Sequence, residues 1–395
     1  MQKISPEKRT KYTKREQFLV FGAPLIEEEE IEEVIKTLRS GWIGKGPKTI
    51  QFEKDFTNYA QCDHAVALSS CTAALHLALV TLGIGQGDEV IVPAMTFCAT
   101  ANAVIHAGAT PVIVDVEKES QLISVAAIEA AITSRTKAII PVHLGGRMCE
   151  MDDILAIAKK NNLFIVEDAA HAIEGEYKGR KTGSIGDITC FSFYATKNLT
   201  TAEGGMLTTN NKDWADKARI LSLHGMNNDA WMRFSGSGYR HYDVVYPGFK
   251  YNMTDIQASL GIHQLRKIEK RYTRRKEMWE YYNEEISGLP LEIPMSLDPQ
   301  SRHSLHLYTI LLDNENSPIS RDELLPALHE ENIGTGIHYI SLTLQSLYQE
   351  RYGYNRGSCP NAEYISDRTL SLPLSASMTL DDAKDVVYAL RFLIG

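Results

Sequence analysis

Seven short apolar runs alternate with helical stretches through the first half of this chain, and they restrict its fold more than any other feature. The runs are Ala65 to Ser69, Glu89 to Pro93, Pro111 to Val114, Ala138 to Val142, Phe164 to Glu167, Ile188 to Phe193 and Gly205 to Thr208. Most are apolar throughout, as strands covered on both faces must be. Interleaved with helices, they predict an α/β fold with a mostly parallel, doubly wound sheet. The 395 residues leave room for a second domain.

Upstream of the first run, Glu27 to Arg39 reads as an acidic amphipathic helix with Ile31, Val34, Ile35 and Leu38 at helical spacing. Its opening acids, Glu27 to Glu30, predict a solvated face where the helix dipole favours negative charge. The helix should stop at Ser40-Gly41. Downstream, Thr254 is a candidate N-cap for one long helix reaching about Glu284. Beyond Pro290 the pattern changes to a smaller α+β unit. It comprises strand Leu305 to Leu312, helix Arg321 to Glu331, strand Gly336 to His338 and final helix Thr379 to Leu393. The chain therefore divides into a flexible basic tail (1–20), a large domain (21–270) and a small C-terminal domain (271–395).

Charge and cysteine usage narrow the function classes. A formal net charge of -9 argues against a broad nucleic-acid-binding face. Met1 to Glu16 is the exception, with six Lys/Arg against two acids, and reads as a solvated leader. Neither a membrane-spanning run nor the apolar stretch of a secretory signal is visible. The six cysteines form no C-x-x-C pair, so reduced thiols in a cytoplasmic protein are expected.

Ligands of open α/β sheets collect at the carboxyl ends of strands, and three such ends carry unusual polar residues. Ser69-Ser70-Cys71-Thr72 runs from a strand into a helix rich in small residues, where free N–H groups offer an anion site; plain capping by serine explains it equally well. Glu167-Asp168 closes an apolar strand, and a carboxylate there is costly unless a cation meets it. A pyridinium nitrogen would answer that need, as would an ordinary salt bridge. Lys197, after Ser192-Phe193-Tyr194, stands where desolvation can lower a lysine's pKa and make it a nucleophile toward an aldehyde. Anion loop, acid and lysine, in that order, supply the contacts that pyridoxal phosphate needs.

These segments resemble the fold type I, pyridoxal-phosphate-dependent nucleotide-sugar aminotransferases. The likeness runs from about Phe21 to the C-terminus. It includes Gly41 to Pro47, Ser69 to Leu75, Val92 to Phe97, Glu167 to His171, Ser192 to Lys197, Glu203-Gly204-Gly205, Tyr251 to Asp255 and Gly336 to Tyr339. The resemblance implies that Lys197 binds the cofactor covalently and shuttles a proton, and that Asp168 pairs with the ring nitrogen. It further implies that Phe97 stacks on the ring, that Cys71, Thr72 and Ser192 hold the phosphate, and that His171 lies near the phenolic oxygen. Asn252 is expected to reach the phosphate of a neighbouring subunit, which makes a homodimer the implied assembly. Cys71 replaces a different small residue common in relatives, so only its backbone is assigned a role.

The implied partners are L-glutamate as amino donor and a nucleotide-linked keto sugar as acceptor, for surface polysaccharide or lipopolysaccharide synthesis. The stretch His224 to Asn252 is similar to enzymes acting on UDP-linked 4-keto sugars; Arg233 within it, with His338 and Tyr339, is a candidate substrate contact. A 3-keto sugar is the alternative within the family. A lysine at 197 argues against relatives that deoxygenate sugars, which replace it. From other classes, a zinc hydrolase built on His143, Asp168 and His171 lacks any metal-site spacing, and a non-catalytic regulator would not need this whole constellation.

Overall fold

The computed structural model describes residues 14–227 and 242–395. Seven strands build the main sheet: β1 (His64–Leu68), β2 (Glu89–Pro93), β3 (Thr110–Val114), β4 (Thr136–Ile139), β5 (Phe164–Asp168), β6 (Ile188–Ser192) and β7 (Gly205–Thr209). Their order is β1-β7-β6-β5-β4-β2-β3. Every pairing is parallel except the two made by β7, which enters the sheet antiparallel between β1 and β6. Strands β2 and β7 are buried at every position, as mainly apolar strands covered on both faces must be.

The chain beyond the sheet departs from the sequence pattern in three places. The single long helix is two, Asp255–Arg266 and Ile268–Glu285, joined at Lys267. Thr254 does cap the first, in a reciprocal bond set with Gln257. Gly336 to His338 is no strand: only Gly336 bridges, to Ser371. The predicted strand from Leu305 is shorter, Tyr308–Leu312; it sits between Leu291–Glu292 and Thr369–Leu372 in a small three-stranded sheet. Helix Arg321–Glu330, capped by Ser320, and helix Leu380–Ile394, capped by Thr379, fall where the periodicity puts them.

Two buried clusters result. One surrounds the large sheet and also takes in Leu342, Tyr348 and Ile365 from late in the chain. The other gathers Trp279, Tyr282, Tyr308, Leu324 and Leu390, and draws Leu19 in from the N-terminal side.

Helix Glu28–Ser40 corrects a further expectation. Its acidic face is turned inward: Glu30 is fully buried and bonds Lys267, Arg271 and Gln264, while Glu33 pairs with Lys48. Ile31, Ile35 and Leu38 face outward instead. The cations of the following helices decide this inversion, because a buried carboxylate needs charged partners more than isoleucine needs cover.

Candidate active site

A cavity of about 370 Å³ opens at the carboxyl ends of β1, β5 and β6. Cys71, Thr72, Phe97, Asp168, His171, Ser192, Lys197, His338 and Tyr339 all line it. The strands carry their polar termini to one edge, so residues more than a hundred positions apart converge there.

At the end of β1, Ser70 caps helix Cys71–Thr81 by accepting from the Ala73 N–H at 3.0 Å. The N–H groups of Cys71 and Thr72 begin the helix and have no intrahelical acceptor, so the positive end of the helix faces the cavity. Gly205, the first residue of β7, packs against this turn so closely that a Cβ would lie 2.4 Å from the Ser70 carbonyl carbon. Only glycine permits that approach, which accounts for the Glu203-Gly204-Gly205 signature.

Asp168 ends β5 and is buried. Thr100 donates to its Oδ2 at 2.7 Å and the Ala170 N–H to its Oδ1 at 3.1 Å. Burial nonetheless pushes its carboxyl above the usual range, against these two donors and the charge of Lys197. Lys197 follows β6 in a tight turn closed by its own N–H on the Tyr194 carbonyl at 2.9 Å. Burial lowers its amine to about 8, against the opposing pull of Cys71 and Asp168. Phe97 presents an exposed ring to the cavity and lies 5.8 Å, centroid to centroid, from Tyr339.

His171 is buried, and burial together with Lys197 holds its imidazole well below the usual range. Its Nδ1 accepts from the Gly145 N–H at 3.2 Å and its Nε2 meets the Tyr339 hydroxyl at 3.2 Å. His338 is lowered to about 4 by burial and by Lys197, with its Nδ1 on the Ser371 hydroxyl at 2.9 Å. Both ring nitrogens of His143 are engaged, by Glu167 at 2.9 Å and the Cys149 N–H at 3.1 Å, which removes it from any zinc-ligand set.

Two candidates stand elsewhere. Asn252 bridges Leu68 just before the anion loop, donates to the Met253 carbonyl, and keeps a buried Oδ1 without a partner; it does not line this cavity. Arg233 lies outside the described residues. Sequence reasoning missed Thr100, whose hydroxyl also meets Thr96 at 2.7 Å. It also missed Asn198, which joins Glu174, the Ser304 carbonyl and His306 behind the lysine. The four-residue spacing of the two threonines is the only sign in the sequence, and it is too common to single them out.

The chemistry of this set fits pyridoxal phosphate. A helix N-terminus with free N–H groups suits a phosphate, and a buried acid short of cationic partners suits a ring nitrogen that carries a proton. An amine lowered toward neutrality suits an aldehyde. Fold and cavity together define a fold type I pyridoxal-phosphate-dependent enzyme. The profile of the DegT/DnrJ/EryC1/StrS aminotransferase family matches residues 24–391, and the chain belongs to that family of sugar aminotransferases.

The chain is 51% identical over 380 residues to uncharacterized protein MJ1066 of Methanocaldococcus jannaschii, covering 96% of this chain and 98% of that one. It is 50% identical over 382 residues to the spore coat polysaccharide biosynthesis protein SpsC of Bacillus subtilis, with 96% and 98% covered. Among solved structures, the pyridoxal-phosphate form of Spr1654 from Streptococcus pneumoniae matches with a TM-score of 0.88 at 36% identity. The match covers 95% of this chain and 98% of that one.

Proposed function

We propose that this aminotransferase moves an amino group from L-glutamate to a nucleotide-linked keto sugar, best a UDP-linked 4-keto sugar, for a surface polysaccharide. The observation that carries the reading is one cavity in which a lysine lowered to about 8 shares its walls with a buried, cation-poor aspartate and a free helix N-terminus. The name of SpsC supports the polysaccharide destination.

When bound, pyridoxal phosphate supplies the electron sink for the substrate carbon that loses its proton. The residues do the rest. Asp168 stays anionic beside the ring nitrogen, so each charge offsets the other's burial. Cys71 and Thr72, through their N–H groups, and Ser192, through its hydroxyl, bind the phosphate, and Phe97 covers the ring. Lys197 Nζ, able to exist in both protonation states near neutral pH, takes and returns the proton at the substrate carbon.

Among the described residues lining the cavity, Lys197 is the one Lys or Arg. The diphosphate of the acceptor is therefore assigned to Arg233, whose guanidinium suits it, and to a second subunit in a cytoplasmic homodimer. The exposed stripe of Ile31, Ile35 and Leu38 supports that assembly. Among the described residues no helix is long and apolar enough to cross a membrane.

Absorption spectroscopy tests the reading. The purified protein should show the visible band of bound cofactor, L-glutamate should bleach it, and a UDP-linked 4-keto sugar should restore it. A band that bleaches but is restored only by 3-keto sugars would move the substrate assignment; a protein that never takes up pyridoxal phosphate would overturn the site itself.

A further inference from the structure

Tyr339 stands where two cavities meet. With Thr96 and Phe97 it lines both the 370 Å³ active-site cavity and a second one of about 450 Å³, which continues past Ile337, Leu342 and Leu347. A substrate reaching Lys197 from that side passes the Tyr339 hydroxyl. What this hydroxyl can offer is settled by its partner. The backbone N–H of Gly145 can only donate, so Nδ1 of His171, 3.2 Å away, must be an acceptor without a proton. The imidazolium, with protons on both nitrogens, is excluded by the same bond. The proton of the neutral ring therefore sits on Nε2, and Nε2–H donates to the Tyr339 oxygen at 3.2 Å.

That polarity leaves the hydrogen of Tyr339 free. A hydroxyl whose oxygen already accepts from His171 turns its own hydrogen elsewhere, and its ring faces Phe97 at the cavity mouth. We infer that Tyr339 is a fixed hydrogen-bond donor to the keto oxygen of the substrate, held in that polarity by the Gly145 N–H through His171. The inference rests on the aminotransferase reading given above. It makes Tyr339 a substrate-contacting residue and His171 the positioning residue behind it. Burial supports the assignment, since it raises the phenol well above its ordinary value and keeps the hydrogen in place. A donor fixed in advance costs no reorganisation when charge develops on the oxygen it faces.

Two measurements on the cofactor-loaded full chain test this. First, nitrogen-15 NMR of labelled histidine, with His171→Asn identifying the signal, should show an unprotonated Nδ1 and a protonated Nε2. A proton on Nδ1 overturns the inference whatever the substrate is. Second, Tyr339→Phe keeps the ring and should slow about a hundredfold the single-turnover return of the visible band when 2-oxoglutarate is added to the glutamate-bleached protein. The pH midpoint of the visible band without substrate should not move. A moved midpoint would assign the donor to the cofactor's phenolic oxygen, and a wild-type rate would leave it no role; either overturns the proposal. His171→Asn combined with Tyr339→Phe should be no slower than Tyr339→Phe alone. If L-glutamate fails to bleach the wild-type protein, the donor assignment falls, while the NMR result still decides the polarity of Tyr339.

Discussion

Glu167 and Asp168 are neighbours on β5, both buried, and they meet opposite fates. Glu167 accepts from His143 at 2.9 Å, from the Gly186 N–H at 2.7 Å and from the Thr189 hydroxyl at 2.7 Å. Burial works against its charge, but His143 and these donors hold it below the usual carboxylate range. Asp168, on the other side of the strand, is met by the Thr100 hydroxyl, the Ala170 N–H and, at 4.0 Å, the Cys71 thiol, and is pushed above that range. A buried acid surrounded by partners is structure. One left short of them, beside a cavity, is suited to a cation brought by a ligand.

Substitutions can break or sharpen this contrast, and Lys197 is the extreme case. Lys197→Ala should remove turnover by at least ~10³-fold, because Lys197 is the one amine among the described residues lining the cavity; a transamination assay on the cofactor-loaded variant reads it directly. Asp168→Asn should lower turnover about 10²–10³-fold, yet leave the cofactor-free protein as stable as before or more so, since a penalised charge is gone. Near-normal turnover in that variant would end the pairing of Asp168 with the ring nitrogen. Glu167→Ala should do the reverse: it leaves His143 Nε2 and the Thr189 hydroxyl without their partner and should cost about 2–3 kcal/mol in urea unfolding, with activity per folded molecule largely kept.

Acidity offers a milder test. The amine attacks only when neutral, and Lys197 is lowered to about 8. Capture of pyridoxal phosphate by the cofactor-free protein should therefore speed up as pH rises through 8 and level off above it. A rate still climbing toward the ordinary lysine value of about 10.4 would show that the amine is not desolvated. The smallest effect is expected at Thr100→Val, which removes the hydroxyl donor to Asp168 and should weaken cofactor affinity roughly tenfold, the worth of one hydrogen bond to a charged group. Unchanged affinity by equilibrium dialysis would mean that the Ala170 N–H suffices.

The three strand ends are legible in the sequence because each sets a rare polar residue against an apolar run, and their order along the chain matches the cofactor's needs. Thr100 is not legible: its role depends on helix Ala99–His106 lying beside the end of β5, a contact across 68 positions. The inverted helix Glu28–Ser40 misleads for a similar reason. Periodicity marks its two faces but cannot say which one meets Lys267 and Arg271 some 240 residues later.

By itself, then, the sequence determines the seven strands of the main sheet, the caps at Ser70 and Thr254, and the identities of the acid, the lysine and the anion loop. All of these follow from local patterns of polarity and backbone preference. Only the tertiary structure decides that β7 runs antiparallel beside β1, so that Gly205 must press on Ser70, and that Glu167 finds its partners while Asp168 does not. It alone turns His171 toward Tyr339. Those outcomes depend on which groups distant in the chain become neighbours, and a buried charge or hydrogen bond takes its worth from its neighbours rather than from its place in the sequence.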